Sequence, residues 1–185
     1  MRSRGAYYKA AGALVVFFVL VFSVAIALNP HYPMLVIAGE SSVGTWLSGV
    51  LLIISATVSL ITGMRKGWLP WFLVAAFFSV LALDERFMFH ERLKEKIIFS
   101  YHHGTVVSRW VYELPVIAGA CAGAAIAFLL WRYLHGASRV LLLCAAFLGS
   151  ASVAIDVLGA GVLWEECFKL LAELLIACVL LREVD

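Results

Sequence analysis

The sequence predicts an all-α, polytopic transmembrane helical bundle, and three observations carry that expectation. Hydrophobic residues make up 64% of the 185-residue chain, well above the roughly 45–50% found in soluble domains. Mean hydropathy is +1.00. Six apolar runs each approach the length of about 20 residues that a helix needs to cross a bilayer. One membrane domain, residues 1–185, accounts for the whole length.

The six spans fall near 10–28, 45–63, 68–90, 110–133, 138–159 and 163–182. Arg2, Arg4 and Lys9 precede the first, and "AIA" at 25–27 looks like a secretory cleavage site. That apolar run exceeds the roughly 7–15 residues of a signal core, so an uncleaved first helix is expected. Pro70 and Pro115 lie in first turns, where a missing N–H costs nothing. Trp68, Trp71, Trp110, Trp131 and Trp164 mark span ends, as interfacial aromatic belts do. Gly119 and Gly123 have the GxxxG spacing of close helix packing. Short connections imply antiparallel neighbours; the one longer loop, 92–109, is of mixed charge and holds "YHHG". Cys121, Cys144, Cys167 and Cys178 all lie inside spans without CxxC spacing, which speaks for free thiols rather than a disulfide framework.

Lysine and arginine counts set the expected orientation. With the N-terminus inside, Arg2, Arg4, Lys9, Arg65, Lys66, Arg132, Arg139 and Arg182 face inward, against Arg92, Lys94, Lys96 and Arg109 outside. Both termini are then cytoplasmic (N-in, C-in). In a bacterial inner membrane the acid-rich end would face the periplasm.

The acids sharpen the picture. "LALDERFMFHERL", residues 81–93, packs Asp84, Glu85, Arg86, His90, Glu91 and Arg92 onto the end of an apolar run. A charge at bilayer depth costs roughly 2.5–3.5 kcal/mol on insertion scales and marks function by default. Glu113, Asp156, Glu165 and Glu166 map to the same outer level, from three further helices. Asp84 and Glu91 are seven apart, hence about 10.5 Å apart along a helix, too far to share one ion easily. A metal would therefore draw single ligands from several elements: Asp84, His90, Glu91, Glu113, Asp156 and Glu165, with His102 or His103 folding in from the loop. Mixed carboxylate and imidazole ligation suits zinc, iron or manganese. Neither Glu-x-x-His nor His-Glu-x-x-His is present. An ion-pair network with Arg86, Arg92 and Arg109 is the alternative.

In "LWEECFKLLAELL", residues 163–175, Glu166, Lys169 and Glu173 fall on one helical face. A lysine deep in a span must be paired or neutral. Lys169 can bond upward to Glu165 or Glu166, or downward to Glu173. A buried register-fixing pair, a proton relay and a lysine that holds an anionic group all fit this spacing. No nucleotide-binding glycine loop appears, and no nucleic-acid partner is expected; the lipid bilayer and a small or lipid-soluble substrate are.

The segments "LALDERFMFHE" at 81–91, Tyr112–Glu113, "AID" ending at Asp156 and "EECFK" at 165–169 resemble a group of uncharacterised bacterial multi-pass membrane proteins. That group pairs a Leu-Asp-Asp/Glu…His-Glu segment with a late Glu-Asp/Glu-x-x-Lys segment. The likeness covers the last four helices, and Cys167 stands where the group favours Gly. It implies the residue choice and no particular reaction.

Three functions follow as expectations. The first is a metal-dependent membrane enzyme, with Glu85, Glu166 and Lys169 in acid, base or carboxylate-tuning roles. The second is a proton- or cation-coupled transporter, or a small-molecule transport subunit, with Lys169 and Glu173 as a relay. The third is a structural or assembly subunit of a membrane complex.

Overall fold

A computed structural model describes residues 3–28, 42–101, 109–159 and 161–184. The described residues form seven helices and a helical turn. They are α1 (Ser3–Leu28), α2 (Val43–Lys66), α3 (Leu69–Phe87), α4 (Phe89–Tyr101), the turn Arg109–Tyr112, α5 (Leu114–Tyr133), α6 (Ala137–Leu158) and α7 (Val162–Arg182). Segments Tyr7–Leu28, Val43–Lys66, Leu114–Tyr133 and Ala137–Leu158 are long and apolar enough to cross a membrane. Helices α3 and α7 run 19 and 21 residues but carry the charged residues of the two motifs.

Helix ends follow local chemistry. Ser42 caps α2 by accepting from the Thr45 N–H at 3.1 Å. Gly67 ends α2 in the left-handed region at φ 64°, its N–H bonded to the Gly63 carbonyl. Helix α3 then starts with Pro70 in its first turn. A Cβ on Gly63 would meet Trp71 Cβ at 3.2 Å, so this glycine lets α2 and α3 approach closely.

Helix α3 ends at Phe87, earlier than the span expected over 68–90. Met88 adopts φ 52°, and α4 begins at Phe89. A left-handed non-glycine residue costs roughly 1–2 kcal/mol. Asp84 anchors the corner: its carbonyl accepts from the Met88 N–H at 2.7 Å, and its Oδ1 accepts from the His90 N–H at 2.9 Å. The charged segment expected as loop is thus largely helix α4.

The core is built from the most extensive contacts, α2 on α3, α6 on α7, and α2 on α7. Leu52, Trp71, Val74, Phe78, Leu130, Leu142, Val179 and Leu180 fill it. Leu51, Leu174 and Ala177 form a smaller cluster between α2 and α7. Helices α1 and α5 leave nearly all of their apolar windows uncovered by the bundle, as expected of surfaces that face lipid.

Charged groups divide between the two ends. At one, Arg65 donates to the Val184 carbonyl, Lys66 to the Glu183 carbonyl, and Ser138 to Glu183 Oε1. These bonds join the C-terminal end of α2, the start of α6 and the end of α7. The motif residues occupy the opposite end.

Candidate functional site

Three ionic groups form at that end. The first, which joins the most carboxylates, centres on Lys169 in the second turn of α7. Its Nζ lies 2.8 Å from each carboxylate oxygen of Glu166 and 3.1 Å from Glu85 Oε1. Glu166 comes from the preceding turn and Glu85 from the last turn of α3. Backbone hydrogen bonding along both helices fixes where these side chains start, so one ammonium ties two helices together.

One turn further along α7 lies Glu173, which is not among the ion-pair partners of Lys169 within the described residues. Its Oε1 accepts a hydrogen bond from Ser48 of α2 at 2.9 Å. Its Oε2 is buried and has no hydrogen-bond partner among the described residues. Ser48 is 0% exposed. Two other α2 hydroxyls close onto their own helix: Ser59 donates to the Ser55 carbonyl and Thr62 to the Val58 carbonyl. Ser48 instead reaches across to the acid.

The second group is the α3–α4 corner. His90 Nδ1 lies 2.7 Å from Asp84 Oδ2. The hydrogen bond to Asp84 raises the His90 pKa above its usual value, outweighing the burial that would lower it.

The third is a buried ion pair. Lys94 Nζ of α4 lies 2.7 Å from Glu113 Oε2, which sits just before α5, and the two side chains are 9% and 8% exposed. The Lys94 ammonium also stands 5.2 Å over the Tyr112 ring. Burial pulls the Lys94 pKa down, but Glu113 and the more distant Asp156 more than offset it, leaving a net rise. Asp156, in the last turn of α6, also acts electrostatically on Glu165.

The sequence-predicted ligands therefore separate into pairs. Asp84 turns to His90, Glu113 to Lys94, and Glu166 to Lys169 with Glu85. Asp156 and Glu165 interact electrostatically, and Glu91 is exposed on α4. His102 and His103 lie outside the described residues. Among the described residues, no group of three or more His, Cys, Asp or Glu side chains is arranged to hold a metal ion. Of the expected ligands, Glu113 is taken by a lysine and Asp84 by His90.

Sequence reasoning missed two participants. Lys94 looked like one more basic residue in a loop, although its four-residue spacing from His90 puts both on one face of a helix. Ser48 sits in a span without motif residues. Its only signal is the stripe Ser48, Ser55, Ser59 and Thr62 at helical spacing.

Fold and site together define a helical, membrane-type bundle with a half-buried lysine–carboxylate centre at one end. The chain belongs to the family described as "Domain of unknown function (DUF8692)", whose model matches residues 7–184. No curated protein and no solved structure gives a significant match to the chain.

Proposed function

We propose that this chain is an ion-coupled membrane transport protein, or the membrane subunit of one, with the Glu85–Lys169–Glu166 cluster as its ion-responsive centre. The single observation that carries the reading is the position of Lys169 between carboxylates of two helices, with a third acid one turn below. One ammonium against Glu85, Glu166 and Glu173 leaves an excess of negative charge inside an apolar bundle. A cation entering from the nearer end relieves that excess and loosens the α3–α7 tie. Such coupling of ion occupancy to helix contact is what alternating access requires.

The site end faces the periplasm of a bacterial inner membrane in this reading, because the opposite end holds Arg65, Lys66, Arg132, Arg139 and Arg182. The test is ion flux into vesicles that contain the purified protein, driven by an imposed potential. Flux above that of protein-free vesicles supports the proposal; equality with them rejects it.

A metal-dependent membrane enzyme is the second reading, favoured by the electrostatic interaction of Asp156 with Glu165. Those two acids, with Glu113 and one of the histidines of the 92–109 segment, would hold zinc, iron or manganese for a small or lipid-soluble substrate. Elemental analysis of detergent-purified protein tests it: one bound metal per chain supports this reading, and none rejects it.

A further inference from the structure

We infer that Glu173, held by Ser48, is a proton-binding site at bilayer depth, and that the ion coupled to the cluster is the proton. The assignment of the ion rests on the transport reading; the binding site rests on its own geometry.

Glu173 is the twelfth of the 21 residues of α7, about 16.5 Å along the helix from its start at 1.5 Å per residue. Its carboxylate has two oxygens in different situations. Oε1 has the Ser48 hydroxyl, and Oε2, although buried, has no hydrogen-bond partner among the described residues. An ionised carboxylate with an unpartnered buried oxygen is costly. A proton removes the charge and leaves the Ser48 bond intact, since a protonated acid still accepts at its other oxygen.

The charges around Glu173 point the same way. Glu85 on α3, Glu166 and Lys169 on α7 and the Ser48 hydroxyl on α2 are the groups that act on it. Lys169 already serves the other two acids, so a proton on Glu173 restores most of the local balance.

Lys169 also supplies the release route. It stands four residues before Glu173, within reach on the same face. Two of its contacts go to Glu85 and Glu166. When a cation or proton displaces it from those acids, the ammonium can turn down to Oε2, and Glu173 then gives up its proton. The proton passes from the Glu173 O–H to a water molecule as hydronium, the lysine stays positive, and the cation or proton that displaced it supplies the matching charge.

Dicyclohexylcarbodiimide reacts with protonated carboxyl groups in apolar surroundings, which makes it the direct probe. Membrane vesicles containing the full chain are treated across a pH series and the modified residue is located by peptide mass spectrometry. The expected result is labelling at Glu173 that falls roughly tenfold for each pH unit above its midpoint, as a single-proton titration does. Glu173→Gln loses the label. Ser48→Ala extends labelling to higher pH, because the ionised form loses its donor. Absence of label at Glu173, with label on Glu85 or Glu166 instead, overturns the site. Block of labelling by sodium at constant pH also overturns it, by making the site one for an alkali cation. Label without vesicle flux keeps the proton site and rejects the transport reading; flux without label does the reverse.

Discussion

Glu85 and Lys169 are 84 residues apart in sequence, yet their charged atoms lie 3.1 Å apart, joining the end of α3 to the second turn of α7. Each side chain is only partly enclosed, at 16% and 25% exposed. Removing one member of such a pair strands the others in a poorly solvated site. Lys169→Met is expected to destabilise by about 3–5 kcal/mol, the usual cost of breaking a buried pair. Lys169→Arg should be only partly tolerated, since a planar fork needs more room than an ammonium. Combining Lys169→Met with Glu85→Gln should recover part of the loss. Thermal unfolding in detergent measures all three.

Lys94 and Glu113 form the most buried ion pair described here, and they fasten α4 to the start of α5. Glu113→Gln and Lys94→Met are each expected to weaken that fastening, while the double variant should cost less than their sum. Hydrogen exchange of the α4 backbone reports it. The single variants should speed exchange in α4 and leave the α2–α7 interface unchanged.

The Asp84–His90 contact gives a pH dependence of known sign. Because the folded pKa of His90 is raised, its stabilisation is complete below the ordinary histidine pKa and fades as pH rises through the raised value. The α3–α4 corner should therefore loosen on the alkaline side of neutral histidine titration. His90→Gln should flatten that part of the stability–pH curve, with unfolding temperature as the readout.

Orientation is checked by cysteine accessibility. Lys66→Cys lies with the chain's C-terminal end, and Glu91→Cys is exposed near the opposite end. A membrane-impermeant maleimide added to cells with a permeabilised outer membrane should label position 91 and spare position 66. The reverse pattern would turn the site toward the cytoplasm.

What the sequence revealed depended on how local the physics was. Apolar run length alone marked the four helices that are long and apolar enough to cross a membrane, and the Glu166–Lys169 contact was visible because it is a one-turn spacing on one helix. The partner in α3 was not, since spacing along one helix says nothing about which neighbour it meets. Helix α4 was hidden by its own charge: "FHERLKEK" lacks the apolar content expected of a span, so the segment read as loop. Met88 offered no sign of its left-handed conformation, which glycine would have signalled. The metal expectation joined acids by membrane level, and spacing along single helices gave no sign that Lys94 pairs with Glu113.

The most direct measurement of the central claim is ion flux through vesicles containing either the parent or Glu166→Gln, a variant that preserves volume but removes one charge from the Lys169 cluster. Both proteins are first matched for folding by their unfolding temperatures. The account predicts flux by the parent under an imposed potential and at least a tenfold loss, about 1.4 kcal/mol, in the folded variant. Equal flux by both would show that the lysine–carboxylate centre only holds helices together.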